Sequence, residues 1–169
     1  MGKFGFLLHG ALLAGVVSAL LIGSEGKAAP VVAKTDAGTA KLEQVVARAP
    51  TAASVAELAG AYLAQNQPGL AQGLLDHHAD LSSPELLHVR SRVALAQGQV
   101  DESLQLSRLT LATCEAESCP SWVYARTVRQ IDYLQALSNA GINDPAQAPA
   151  ESNAIVDRTS REVRLVAGL

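Results

Sequence analysis

The sequence Leu-Ala-Gln-Asn-Gln at residues 63–67 returns as Leu-Ala-Gln-Gly-Gln at residues 95–99, so four of five residues match at an offset of 32 positions. Around both copies, apolar residues recur with the three- and four-residue spacing of a helix that is buried on one face. A helical hairpin repeated at this period is typical of a solenoid, because a single hairpin cannot bury its apolar face alone. Residues 55–109 therefore predict an all-α fold, a short α-solenoid of helical hairpins.

The composition of the 169-residue chain agrees with a helical fold. Hydrophobic residues make up 49% of the chain, which is ample for one core, while aromatic residues make up only 4%. Alanine and leucine dominate, and both are strong helix formers. The net charge of -3 is spread along the chain without a basic run. This pattern argues against nucleic acid as the main partner.

An apolar run at residues 4–23 comes first in the chain and predicts an N-terminal hydrophobic helix. A helix of this length, rising about 1.5 Å per residue, would cross the hydrocarbon core of a bilayer. Both a retained signal-anchor and a cleaved signal peptide fit residues 1–24, since Gly26-Lys27-Ala28 offers a cleavage site. The rest of the chain is then extracytoplasmic (periplasmic), either membrane-anchored or secreted.

Residues 25–38 are rich in Ala, Gly, Lys, Thr and Pro, and we interpret them as a linker to a helical domain at residues 39–169. Within that domain, the periodicity and the Pro and Gly breaks predict helices at 39–49, 52–65, 68–78, 121–140 and 150–166, with a second hairpin from 84 to 110. On the helix at 121–140 we expect the buried stripe to be Val128, Ile131, Leu134 and Leu137.

The two hairpins between residues 52 and 110 resemble the tetratricopeptide repeat. The resemblance is carried by large and small apolar residues at the family's packing positions, namely Val55, Leu58, Ala59, Tyr62 and Ala71. The turn at Gly98, followed by Asp101 and Glu102, is similar to the family's turn. The flanking repeats are degenerate, and the sequence departs from the family where Arg90 replaces a buried Leu.

This resemblance implies that the α-solenoid is right-handed. It also implies a concave groove, lined by the first helix of each hairpin, that binds an extended peptide or a partner helix. The residues it places in the groove are Leu63, His88, Arg92, Leu95, Arg126 and Arg129. Such a groove suits an apolar segment that carries an acidic side chain or a terminal carboxylate. Specificity would come from the departures His88, Arg90 and Arg92. The same arginines also fit an ordinary solvated surface.

Cys114 and Cys119 are the only cysteines, and in an exported chain they predict a disulfide. Free thiols or a redox pair are the alternatives. Redox pairs usually have two intervening residues, whereas here there are four, and Glu115 disfavours a thiolate.

The sequence indicates no metal site, cofactor or catalytic motif. His77 and His78 are adjacent on a helix and point about 100° apart, so they are poorly placed to share a metal. No nucleophile elbow, phosphate loop or dinucleotide fingerprint occurs. We therefore expect no enzyme and no small-molecule substrate.

Taken together, these features favour an exported, membrane-tethered adaptor or assembly factor that binds a protein partner. An accessory subunit of a membrane complex, docked through residues 4–23, is the alternative. A thiol-dependent or other enzyme is a third class.

Overall fold

A computed structural model of the protein describes residues 37–116 and 118–166, and their side chains as far as residue 159. These residues form seven helices and no strand, which confirms the all-α prediction. The helices are α1 (Ala37–Arg48), α2 (Ala52–Ala64), α3 (Pro68–His77), α4 (Pro84–Ala96), α5 (Val100–Ala116), α6 (Ser121–Asn139) and α7 (Pro149–Val166).

The predicted N-terminal hydrophobic helix and most of the predicted linker lie outside the described residues. Within the described ranges, none of the helices has both the length and the apolar character that crossing a membrane requires.

The helix bounds agree with the predicted ones to within two residues, except at the end of α5. That helix continues to Ala116, so Cys114 lies in its last turn and not in a loop. The reason is local, because no Gly or Pro follows Thr110 until Pro120, and the intervening Leu and Ala residues favour a helix.

Consecutive helices contact each other along the chain, and two further contacts join helices of different hairpins. These join α2 to α4 and α4 to α6, which are the first helices of the hairpins α2–α3, α4–α5 and α6–α7. The first helices therefore lie side by side in chain order. The solenoid geometry itself stays a prediction.

The three hairpins share one turn geometry. Each first helix is followed by a residue in the left-handed region, with φ of 57° at Asn66, 77° at Gly98 and 72° at Gly141. The next amide then donates to the carbonyl five residues earlier, over 2.9 Å (Gln67 to Tyr62), 2.9 Å (Gln99 to Ala94) and 3.0 Å (Ile142 to Leu137). This is the Schellman arrangement, which satisfies carbonyls at a helix end. The turn thus recurs in the third hairpin, to which the five-residue match does not extend.

The apolar core has two clusters. The first lies among α1 to α4 and includes the predicted packing residues Val55, Leu58, Ala59 and Ala71, all of which are buried. The second lies among α5, α6 and α7 and is built from Val100, Leu104, Leu134, Leu137 and Ile155.

The buried face of α6 differs from the predicted stripe. Leu134 and Leu137 are buried as expected, but Val123 and Thr127 complete the face, while Val128 and Ile131 are only partly buried. Thr127 and its neighbour Gln130 have hydrogen-bonding partners on α4. The face is therefore selected by polar contacts as well as by apolar side chains.

Candidate partner-binding groove

A groove of about 880 Å³ opens over α2, α4, α6 and α7. All six residues that the sequence predicts for the groove lie in its walls, namely Leu63, His88, Arg92, Leu95, Arg126 and Arg129. The structure therefore brings together residues that are up to 66 positions apart in the chain. Their role in binding a partner stays a prediction.

The sequence did not indicate the rest of the lining, which comprises Ala96, Gln130, Asp132, Tyr133, Val156 and Thr159. Gln130 and Tyr133 each follow a predicted groove arginine by four residues, so the helical period could have identified them. Val156 and Thr159 belong to α7, a second helix, whereas the family resemblance places only first helices in the groove.

The lining changes from cationic to apolar along α4. Arg92 comes first, and Leu95 and Ala96 follow in the last turn, about 5 Å further along the helix axis at 1.5 Å per residue. Leu63 and Val156 add aliphatic surface from α2 and α7. We call Leu63, Leu95, Ala96 and Val156 the apolar part of the groove.

We call Arg92 and Arg126 the cationic part of the groove. His88 is a neutral side chain beside it. It is 3% exposed, its Nδ1 lies 3.2 Å from the Thr127 hydroxyl, and its ring meets Trp122 edge-on with the centroids 6.1 Å apart. Burial, and then the charges of Arg92 and Arg126, lower the pKa of His88 to about 4. His88 is therefore uncharged at neutral pH, and the positive charge in this part of the groove belongs to the arginines.

Arg92 and Arg126 line the groove, and neither forms an ion pair with a carboxylate of the described residues. Burial and the neighbouring Arg126 guanidinium lower the pKa of Arg92. Arg126 lies over the Trp122 ring, 5.3 Å from its centroid, in a cation–π contact. Across the described part of the chain, Arg90 and Asp76 form an ion pair at 4.0 Å. Neither Arg92 nor Arg126 has a carboxylate oxygen within that distance among these residues.

Arg90 is not among the residues that line the groove, and its predicted contribution to specificity stays a prediction. Its Nη2 donates to the Leu75 carbonyl over 2.7 Å, and its Nη1 lies 4.0 Å from the Asp76 carboxylate. A cation at this place satisfies a carbonyl in the last turn of α3 and complements the helix dipole. The departure at Arg90 therefore has a structural explanation.

Behind the groove, a buried polar layer joins α4, α5 and α6. The Gln130 amide donates to the Ser91 hydroxyl over 2.7 Å, and Ser107 donates to the same oxygen over 3.0 Å. Ser103 donates to the Ser91 carbonyl over 2.7 Å. Small hydroxyl side chains let the helices approach closely while keeping the buried polar atoms paired.

The predicted disulfide between Cys114 and Cys119 is confirmed, and it joins the last turn of α5 to the residues just before α6. The rings of His77 and His78 meet edge to face, with their centroids 4.9 Å apart. Among residues 37–116 and 118–166, no group of three or more His, Cys, Asp and Glu side chains is arranged to hold a metal ion.

We compared the chain with known protein families, curated proteins and solved structures. No protein-family model, no curated protein and no solved structure matches the chain. The resemblance to the tetratricopeptide repeat therefore depends on residues 52–110 alone, and it stays a prediction.

Proposed function

We propose that the protein is a non-catalytic adaptor or assembly factor that binds a peptide or helix of a protein partner in its groove. The observation that carries this proposal is the convergence of Leu63, Leu95, Arg92 and Arg126 from three helices on one open groove. A concave surface with apolar side chains and a few unpaired polar groups is the usual form of a recognition site.

The architecture that we propose for this function is a short right-handed solenoid related to the tetratricopeptide repeat. The contacts of α2 with α4 and of α4 with α6 support it, because first helices that stack in order form a continuous wall. The shared turn geometry at Asn66, Gly98 and Gly141 also supports it.

We further propose that the helical domain is exported and tethered to the outer face of a membrane. The apolar run at residues 4–23 supports the tether, and the Cys114–Cys119 disulfide supports an oxidising compartment. Release as a secreted or periplasmic domain after signal cleavage would keep the same groove.

A peptide selection tests the groove directly. The full chain, purified in mild detergent, is presented to a displayed library of random peptides. We expect enriched peptides to bind the wild type and to lose binding to an Ala96→Trp variant, because the indole would fill the apolar part. Ala112→Trp is the matched control, since Ala112 is an exposed helical alanine outside the groove. Enriched peptides that bind Ala96→Trp as well as the wild type would contradict the proposal.

The alternative function is an accessory subunit of a membrane complex, and it is favoured by the length of the apolar run at residues 4–23. Deleting residues 35–169 discriminates the two functions. Partner subunits that co-migrate with the remaining segment in detergent would support the accessory subunit. Partners that are lost with this deletion would support the adaptor.

A further inference from the structure

The cationic part of the groove has more positive charge than the described residues compensate. Arg92 and Arg126 come from different helices and line the same groove. Both lower the pKa of His88, and the charge of Arg126 also lowers the pKa of Arg92. Two guanidinium groups that line one groove repel each other, and the partial burial of Arg92 strengthens the repulsion because less water screens it. An anion between them would remove this unfavourable interaction.

The two arginines also have the geometry that suits an oxyanion. A guanidinium presents its donors in a planar fork that matches the two oxygens of a carboxylate. The contact with Trp122, 5.3 Å from the ring centroid, favours a position of the Arg126 guanidinium over an aromatic face in the absence of a ligand. Binding at this side chain therefore loses less conformational entropy than binding at a free surface arginine.

Building on the proposed function, we propose that Arg92 and Arg126 form a subsite for one carboxylate side chain within the partner segment. An adjacent large apolar side chain of the same segment then lies against Leu63, Leu95 and Val156. The axial distance of about 5 Å between Arg92 and Leu95 corresponds to one turn of a bound helix. In an extended peptide, the same distance corresponds to one or two residues.

Arg129 does not belong to this subsite, although it lines the same groove. Its Nε donates to the carbonyl of Ala125 on its own helix over 3.3 Å. It is also absent from the charges that lower the pKa of His88 and of Arg92. Arg129 is therefore a matched control, with the same charge and the same helix but a different position.

A protein segment fits the groove better than a polyanion does. Asp132 lies in the wall and would repel a second negative charge, and the chain as a whole has a net charge of -3. Polyanions are bound by continuous basic surface, whereas here two arginines stand beside aliphatic side chains. A single carboxylate binds the two arginines, and an adjacent apolar side chain packs on the apolar part of the groove.

The test extends the peptide selection and compares the full chain with a variant that carries both Arg92→Gln and Arg126→Gln. From the wild type we expect peptides in which Asp or Glu lies within four residues of Leu, Ile or Phe. From the double variant we expect peptides that retain the apolar residue without the acidic preference. A selection that enriches no peptide at all would contradict the proposed function. Enriched peptides without an acidic preference would contradict only the carboxylate subsite.

Affinity measurements with one selected peptide complete the test. Trp122 is the only tryptophan of the chain and lies beside the subsite, so its fluorescence reports binding. We expect Glu→Gln in the peptide, or Arg126→Gln in the protein, to weaken binding about 10- to 100-fold, the range for a charged hydrogen-bonded pair. The peptide substitution leaves the protein unchanged, so its effect does not depend on the folding of a variant.

The control is Arg129→Gln, which we expect to weaken binding less than about threefold because only a screened, longer-range charge is lost. An equal loss for Arg129→Gln and Arg126→Gln would mean that the groove senses net charge, and it would overturn the subsite. An unchanged affinity for the Gln-containing peptide would overturn it as well.

Discussion

At the residue scale, His88 shows how one buried side chain links the groove to the stability of the fold. It contacts Thr127 and Trp122 from α6, and the charged groups that face it are Arg92 on its own helix and Arg126 on α6. Both are permanently charged near neutral pH and both oppose a proton on the imidazole. The folded protein therefore favours neutral His88.

This preference predicts a pH dependence of stability. The pKa of His88 is about 4 in the folded state and 6.5 in the unfolded chain. The unfolded chain therefore binds more protons between these values, and the contribution to stability is fully present above pH 6.5. It is lost as the pH falls towards 4, by up to about 3 kcal/mol. The measurement is the free energy of unfolding by denaturant at pH 7, 5.5 and 4.

The control for this prediction is His88→Gln, which keeps a hydrogen-bonding side chain beside Thr127 but does not titrate. Carboxylates titrate equally in both proteins, so the difference between wild type and variant isolates His88. A difference that stays constant from pH 7 to pH 4 would contradict the assignment.

At the element scale, the turns that end α4 and α6 have the same backbone but different surroundings. Gly98 and Gly141 both have positive φ, where a side chain costs about 1–2 kcal/mol. A Cβ on Gly98 would also lie 2.7 Å from Cγ of Asp144, whereas a Cβ on Gly141 would meet open space. Asp144 is held by hydrogen bonds from the Ala146 amide and the Gln147 side chain.

We therefore expect Gly98→Ala to destabilise the protein more than Gly141→Ala. Gly98→Ala should lower the free energy of unfolding by about 1–3 kcal/mol more than Gly141→Ala, because Asp144 must move and give up its hydrogen bonds. Thermal and denaturant unfolding of both variants checks the difference. Adding Asp144→Ala to Gly98→Ala should recover part of the loss, and equal destabilisation by the two glycine substitutions would contradict the close approach.

The helices and turns also show how much of the fold and of the groove could be predicted from the sequence. Pro, Gly and Asn placed most helix ends correctly, because these residues act through local backbone geometry. The repeat offset and the family resemblance predicted the six groove residues that lie on first helices. The burial of Thr127, by contrast, depends on His88 across an interface, and Val156 reaches the groove only because α7 packs on α6. Tertiary contacts of this kind leave no periodic signal in one sequence.

At the scale of the whole molecule, two apolar clusters are joined through a polar layer. Leu75 is fully buried in the cluster of α1 to α4, and Leu137 is fully buried in the cluster of α5 to α7. Ser91 lies on α4, a helix of the first cluster, and it hydrogen-bonds with Ser107 and Gln130 on α5 and α6, which are helices of the second cluster. Repeat-like arrays are stabilised by contacts between neighbouring units, so a loss in one cluster need not spread through the chain.

This organisation predicts that each half of the helical domain opens separately. Leu→Ala at a buried site costs about 2–5 kcal/mol. We expect Leu137→Ala to speed hydrogen exchange in α5 to α7 while α2 and α3 keep most of their protection, and we expect Leu75→Ala to do the reverse. Native-state hydrogen exchange resolved by mass spectrometry measures both variants against the wild type.

The groove spans the two halves, since Leu63 packs on the first cluster and Leu95 on the second. A bound peptide should therefore slow hydrogen exchange in both halves at once. For the Leu75→Ala and Leu137→Ala variants, uniform acceleration of exchange in all helices would contradict separate opening and show a single cooperative unit.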